Sequence, residues 1–353
     1  MKKLNLFSLG FTYAGCFLGA GYVSGQELWQ FFGAFGIKGI YGLLLTVLIQ
    51  LIFGVLLIRL VHKTNIYEMD RIAVKKDIPA VRAVFSAGAT FFMFGIFIIM
   101  SAGTGALLNR LFGLHEILGC GIFCAIIAFM TFKGMDGMVS VFSWFVPALV
   151  VGTVLISMVS VAKVGFGEIT FAEAEGKNIL LGNWLFSSVT YVSYNLFGSI
   201  GIIAPLGDRV EKKTVLSGIS FGCGLLFAIA FSILFAMASN SNVIGTELPM
   251  LELACDMSMI VGYIYAVMLF FGMFGTSLSS FVAVITFGEQ KWEWFSKKKN
   301  IIIIALSIVA WVCSFVGFGD LIGIVYPISG YFGFAVIIGV IVHYIVERKN
   351  DTD

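Results

Sequence analysis

Gly19–Phe32 reads GAGYVSGQELWQFF. It sits inside a long apolar run near the N-terminus, and three glycines, a serine, a glutamine and a glutamate interrupt that run close to its middle. The rest of the chain says what kind of interruption this is. Of 353 residues, 59% are hydrophobic and 12% charged, with a mean hydropathy of +1.00. A soluble surface needs more charge than that. The apolar residues fall in repeated stretches of the length that crosses a hydrocarbon core. The net charge of +2 gives no case for nucleic acid as a partner. Six cysteines (Cys16, Cys120, Cys124, Cys223, Cys255 and Cys313) are scattered, mostly within spans, without metal-ligand spacing and read as buried free thiols.

The sequence predicts an all-α polytopic membrane protein of ten spans. They cover roughly 5–33, 36–61, 83–110, 116–132, 137–162, 180–206, 213–238, 257–287, 300–318 and 322–345. The basic start MKKLNLFSLGF lacks a small-residue cleavage site and reads as a retained first span. With the N-terminus inside, the cytoplasmic segments carry Lys2, Lys3, Arg59, Lys63, Arg71, Lys75, Lys76, Arg82, Lys133, Arg209, Lys212 and Lys213. Lys291, Lys297, Lys298, Lys299, Arg348 and Lys349 join them. Only Lys38, Arg110, Lys163 and Lys177 remain outside. That asymmetry predicts both termini in the cytoplasm.

Five spans per half is an odd number, so the second half inserts upside down relative to the first. The expectation is a single domain over 1–353, with one inverted repeat in 1–165 and the other in 175–346. The second half also opens on a glycine-interrupted span, TYVSYNLFGSIGIIAPLG, Thr190–Gly207. Corresponding broken helices in two inverted halves point to a transporter binding site at mid-membrane.

A spanning backbone satisfies its own hydrogen bonds unless it is buried in protein or lines a cavity. Gly19, Gly21 and Gly25 allow an unwound segment. Ser24-x-x-Glu27 has the spacing of a capping box for a half-helix starting at Gly25. On that reading the break bares amides and the Ser–Glu pair satisfies them. A second reading turns Glu27 into the central cavity. An ionised carboxylate there costs about 2.5–3.5 kcal/mol or more, and is tolerated beside a cation, a proton or water. Glu27 is then the candidate to meet a substrate ammonium or carry a coupling proton.

GAGYVSGQELWQFF resembles the first-span signature of the YkvI-type bacterial membrane proteins. Those are related to the amino acid–polyamine–organocation superfamily, with the LeuT fold of two inverted five-span repeats. The resemblance implies that spans 1 and 6 are broken at mid-membrane and hold the substrate. It places Ala20, Gly21, Tyr22, Ser24, Gly25 and Glu27 in the first break, and Tyr194, Asn195, Gly198 and Ser199 in the sixth-span break. In GTSLSSF of the eighth span, Thr276, Ser279 and Ser280 resemble the family's sodium-site hydroxyls. Their partners would be the carbonyls of Gly19 and Tyr22, hard oxygen ligands suited to an alkali cation. The fifth span has no central lysine to replace that ion; Lys163 sits at its outer end. No other cofactor is implied.

Other signals carry less. Gly317-Phe-Gly-Asp320 fits the pattern of intramembrane aspartyl proteases, but such an enzyme needs a second intramembrane carboxylate. Asp136 and Asp208 lie in loops and do not supply one. His62, His115 and His343 lie near span ends. Pro147 and Pro327 kink their spans. Glu168, Glu173 and Glu175 form an acidic outer loop, and Glu247, Glu252 and Asp256 an outer loop helix that caps the cavity. Lys291–Lys299, with Trp292 and Trp294, anchors at the membrane surface. The expectation is a secondary transporter of an amino acid or related amine, driven by a Na+ or H+ gradient and not an enzyme. The alternative is a sensor or receptor subunit of the same fold that binds a small molecule without moving it. The sequence specifies no oligomeric state.

Overall fold

The N-terminal apolar run is not one helix in the computed structural model, which describes residues 3–66, 71–72, 79–133, 145–165, 171–174 and 177–350. Helix α1 (Leu6–Gly15) ends in a turn, α2 (Ala20–Val23) follows, and α3 (Gln26–Leu28) runs into a π-helical turn over Trp29–Gly33. Then come α4 (Ile37–Thr64), α5 (Pro79–Phe112), α6 (Glu116–Phe132) and α7 (Phe145–Val164). The second half holds α8 (Trp184–Ile203), which tightens into a 3-10 turn over Ala204–Arg209, then α9 (Lys212–Ser239) and the short α10 (Pro249–Met257). It ends with α11 (Met259–Lys291), α12 (Glu293–Lys297), α13 (Lys299–Cys313) and α14 (Phe318–Asn350). Among the described residues eight helices are long and apolar enough to cross a bilayer, and α6 is a shorter apolar helix of 17 residues. The expected residues Lys2, Lys75, Lys76, Asp136, Glu168 and Glu175, and the start of the fifth predicted span at 137–144, lie outside the described residues.

Cross-chain contacts sort the helix ends onto two faces, as an up-and-down bundle requires. On one face Lys3 pairs with Glu211 at 3.0 Å, Leu4 N donates to Arg209 O, and His62 Nε2 lies 2.8 Å from Gly207 O. His343 Nδ1 sits there too, 2.9 Å from Ile72 O. On the other face Arg110 forks onto Glu252, Trp311 Nε1 donates to Ile117 O, and Ala174 N donates to Ala34 O. The outer surface of α4 shows Tyr41, Leu44, Leu48 and Ile52, all half exposed. That apolar stripe at helical spacing is what lipid contact asks for.

Small residues set the closest crossings, as expected where lipid supplies no competing driving force. An added Cβ on Gly10 of α1 would lie 2.9 Å from Gly218 O of α9, and one on Gly222 would lie 2.7 Å from Gly10 O. Ser193 of α8 donates to Gly330 O of α14 at 2.6 Å. All six cysteines are free.

Two local expectations are corrected. Helix α8 runs without a break through Tyr194, Asn195, Gly198 and Ser199; the irregular backbone begins only at Ala204. Gly198 serves packing there, with an added Cβ 2.7 Å from Phe92 Cε1. The capping box also fails to form. Gly25 caps α3 with φ 87°, a conformation that glycine adopts without strain. Ser24 Oγ instead donates to Gly21 O at 2.8 Å and accepts from Gln26 N at 3.4 Å, while Glu27 does not reach back to Ser24.

Candidate functional site

The broken span bares backbone carbonyls at its centre, and other elements meet them. Tyr265 of α11 donates its hydroxyl to Val23 O at 2.7 Å. Met250 N, in the first turn of α10, donates to Ser24 O at 3.0 Å. Ser187 of α8 donates to Phe31 O at 2.7 Å, inside the π turn. Buried carbonyls in lipid have no water to turn to, so these donors fix where the break can form. A π turn of this kind is common at functional sites. The same logic governs Pro327 in α14. Its missing N–H leaves Gly323 O free, and Asn178 Nδ2 fills that place at 2.7 Å.

With the cap unmade, Glu27 is free to point elsewhere. Its carboxylate is 4% exposed and accepts a hydrogen bond from the Tyr194 hydroxyl of α8. Tyr191, one turn earlier, packs edge-on against the Tyr194 ring with centroids 5.4 Å apart, and its buried hydroxyl has no hydrogen-bond partner. Gly21 makes the room: an added Cβ would lie 2.9 Å from Glu27 Oε2 and 3.4 Å from the Tyr326 hydroxyl oxygen of α14. The Tyr326 ring stacks on Tyr194, centroids 4.6 Å apart at 17°. Phe92 of α5 closes a third side, 6.3 Å from Tyr194 and 6.2 Å from Tyr326. Phe31 lies 5.4 Å from Tyr194 on the fourth. The cluster is one carboxylate in a wall of rings drawn from four elements. No Lys or Arg side chain is buried among the described residues.

The sequence-predicted residues divide. Gly21, Glu27 and Tyr194 meet at this cluster. Ala20 and Gly25 shape the break, with Gly25 tight against Met237 Sδ at 3.0 Å and Met250 Cγ at 3.2 Å. Tyr22 turns away and donates to Leu226 O of α9 at 2.7 Å. Asn195 bonds back to Tyr191 O of its own helix at 3.0 Å. Ser199 is buried with no hydrogen-bond partner for its hydroxyl.

Four of the five expected sodium ligands already hydrogen-bond within the protein, and each of their oxygens keeps a lone pair. Gly19 O already accepts from Val23 N, and Tyr22 O from Gly25 N, both at 3.2 Å. Thr276 Oγ1 donates to Gly272 O, and Ser279, exposed on its helix, donates to Gly275 O and Thr276 O. Ser280 is buried. Beside them Ser277 is fully buried with an unpartnered hydroxyl, and was not singled out from the sequence. No group of three or more His, Cys, Asp or Glu that could hold a metal ion occurs among the described residues.

Sequence reasoning missed Tyr326, Phe92, Tyr265 and Met250. A tyrosine directly before an in-span proline, in VYPISG, was the available signal for Tyr326.

Helix α10 and the turn before it cover the break as a lid. Beyond Met250, Glu247 Oε2 accepts from Gly319 N at the start of α14 at 2.6 Å, and Glu252 binds Arg110 of α5 at 2.7 Å. Burial raises the Glu247 carboxyl above its ordinary value, and Glu116 and Asp320 add to the rise; the Gly319 N–H opposes it. On the same face Lys177 and Lys38 hold Glu173 down at about 2. Gly36 lets that segment approach, with φ 59° and an added Cβ only 2.7 Å from Phe171 O.

No family model matches the chain. It is 24% identical over 343 residues to the membrane protein YkvI of Bacillus subtilis, covering 95% of each chain. It is 21% identical over 338 residues to YyaD of the same organism, again over 95% of each. The fold matches a Eremococcus coleocola manganese transporter bound to an aromatic bis-isothiourea compound, TM-score 0.58 at 10% identity, over 97% of this chain and 85% of that one. It also matches an outward-open Na+-coupled sialic acid symporter, TM-score 0.57 at 16% identity, over 94% and 79%. The YkvI resemblance read from the first span therefore extends along the chain, and the fold is shared with these two solved transporters.

Proposed function

We propose that this chain is a secondary active transporter of a bacterial cytoplasmic membrane, moving an amino acid or related amine by alternating access. Ten spans form two inverted repeats over 1–165 and 175–346, with both termini cytoplasmic and the α10 lid outside. The observation that carries the reading is Glu27. It is a buried carboxylate on a broken span, facing rings of α5, α8 and α14, beneath a lid that hydrogen-bonds the break itself. Such a residue within a membrane marks a substrate or ion path by default. The fold shared with a manganese transporter and a sialic acid symporter supports transport in general.

Sodium or proton gradients supply the energy in this reading. In this reading the sodium site is formed by the hydroxyls of Thr276, Ser279 and Ser280 on α11, whose oxygens keep lone pairs, with the carbonyls of Gly19 and Tyr22. Glu27 is the proton carrier if sodium is not used. The test is uptake of radiolabelled amines and amino acids into vesicles holding the purified protein, under imposed sodium or proton gradients. Wild type accumulates a substrate and Glu27→Gln does not, although it unfolds at a similar temperature. Gradient-independent behaviour of every compound, or undiminished uptake by Glu27→Gln, overturns the assignment.

A further inference from the structure

Helices α6 and α13 stand side by side on the outside of the bundle and leave a groove between them. It holds a cavity of about 490 Å³, lined by Ala125, Phe129 and Phe132 of α6 and by Ile304 and Ile308 of α13. Phe129, Ile304 and Ile308 are each more than half exposed, so the groove opens to whatever surrounds the bundle, which at this depth is lipid. Trp311 closes one end. Its ring lies against Gly121, where an added Cβ would come within 3.0 Å of Nε1, and Nε1 donates to Ile117 O at 2.8 Å. The other polar atoms of the wall are satisfied without a guest. Cys124 Sγ donates to Ser101 Oγ of α5 at 3.3 Å. Ser307 Oγ, which has no partner, can turn to a carbonyl of its own helix. The opposite end is basic. Lys133 caps α6 directly after Phe132, with its ammonium 5.7 Å from the centre of the Phe129 ring. Lys297 and Lys298 come just before α13, which starts without a side-chain cap and so leaves the amides of its first turn open. None of these three lysines has a carboxylate partner among the described residues, whereas Lys299 pairs with Glu289 at 3.0 Å. Trp292 and Trp294 are exposed beside them, as residues at headgroup level are.

We propose that the α6–α13 groove binds an anionic phospholipid, with an acyl chain against Phe129, Ile304 and Ile308 and the phosphate on Lys133, Lys297 and Lys298. The orientation given above places these lysines in the inner leaflet; the identity of the cargo does not enter. A carbon wall open to the bilayer takes a hydrocarbon chain, and the lysines at its end select the charge of the headgroup. A zwitterionic headgroup brings its own cation to the phosphate and competes with them. Length brings the two parts together. At about 1.5 Å per residue the 17 residues of α6 reach about 25 Å, short of a hydrocarbon core of about 30 Å. A short span thins the bilayer beside it and sends its flanking lysine toward the headgroups, so Lys133 meets the phosphate while Phe129 stays with the chain.

The test uses the full chain, delipidated in a neutral detergent, and reads its unfolding midpoint and its native mass spectrum. Dioleoylphosphatidylglycerol, dioleoylphosphatidylcholine and glycerol phosphate are added in turn. A ligand that binds only the folded state raises the midpoint by mass action. Phosphatidylglycerol is expected to raise it and to stay bound in the spectrum, with phosphatidylcholine about tenfold or more weaker. Glycerol phosphate, the headgroup without its chains, is expected to leave the midpoint unmoved at the same concentration. Lys133→Gln, Lys297→Gln and Lys298→Gln combined should bring phosphatidylglycerol down to the level of phosphatidylcholine. Ala125→Phe, which fills the groove from an exposed position, should weaken both lipids. No shift with phosphatidylglycerol, equal binding of the two lipids by the wild type, or an equal effect of glycerol phosphate overturns the proposal. So does undiminished lipid binding in either variant, or a second copy of the chain in place of the lipid. The comparison of lipids needs no variant and stands if the lysine substitutions prevent folding.

Discussion

Tyr265→Phe isolates what holds the break in place. The ring is fully buried and stays; only the hydroxyl that donates to Val23 O at 2.7 Å is lost. Thr153 Oγ1 lies 3.0 Å from the same hydroxyl, so the bond is the end of a short chain from α7 through α11 to the broken span. Depriving a buried carbonyl of a donor costs about 1–3 kcal/mol. That is roughly a fivefold to 150-fold change in an equilibrium constant. Reversible unfolding in mixed micelles with rising denaturing detergent reads it. The control is Tyr263→Phe on the same helix, whose ring is 41% exposed and whose hydroxyl should contribute less than about 0.5 kcal/mol. Thr153→Val in the two backgrounds gives the coupling, expected at about 0.5 kcal/mol or more for groups in one network. If Tyr265→Phe matches Tyr263→Phe within about 0.3 kcal/mol, the hydroxyl does not hold the break and the carbonyl accounting is wrong.

Other consequences are as direct. Ser187→Ala removes the donor to Phe31 O at 2.7 Å and should lower stability by about 1–3 kcal/mol in the same unfolding assay, where no loss would mean that carbonyl is met otherwise. Gly36→Ala forces a side chain into φ 59° and to within 2.7 Å of Phe171 O; a loss above about 1 kcal/mol is expected, and a gain would contradict the close approach. The lid should respond to pH through Glu247, whose carboxyl is raised by burial when the lid is shut. A raised value means the shut lid binds its proton more readily than the open one. Shutting is therefore most favourable at acid pH and weakens as pH rises from about 4.5 through the raised value. Hydrogen exchange at Met250 N, corrected for its intrinsic rate, should lose protection across that window, and constant or rising protection refutes the latch.

Long apolar helices were legible because length and hydropathy decide them: the second span was expected at 36–61 and α4 covers Ile37–Thr64. The first break was legible because three glycines and a carboxylate have no reason to sit together in an ordinary span. What they did with each other was not. Ser24 and Glu27 have capping-box spacing, yet Gly25 takes a left-handed turn that moves the cap, and the carboxylate goes to Tyr194. The sixth-span break was misplaced for a related reason. Gly198 reads the same whether it unwinds a helix or admits Phe92 against one, and only the partner, more than a hundred residues away, distinguishes them. Tyr326 was hidden because an aromatic residue in an apolar span looks like core until its neighbours are known.

The donors to the broken span lead to one further step. Ser24 O is met by the lid, Val23 O by α11 and Phe31 O by α8, so the break is shared property of three elements. Lifting the lid removes the Met250 N–H from Ser24 O, and a carbonyl at membrane depth does not stay bare. Water or a guest donor must replace it, which brings solvent to the residue three positions from Glu27. Opening and hydration of the carboxylate are in this way the same event, enforced by backbone hydrogen bonding rather than by a separate gate. A guest with an N–H ammonium, as an amino acid or a primary amine has, is both a donor for such oxygens and a charge for Glu27. Its arrival allows the carboxylate to stay ionised while the lid closes again, and the Tyr194 hydroxyl that now holds Glu27 marks the place it would take.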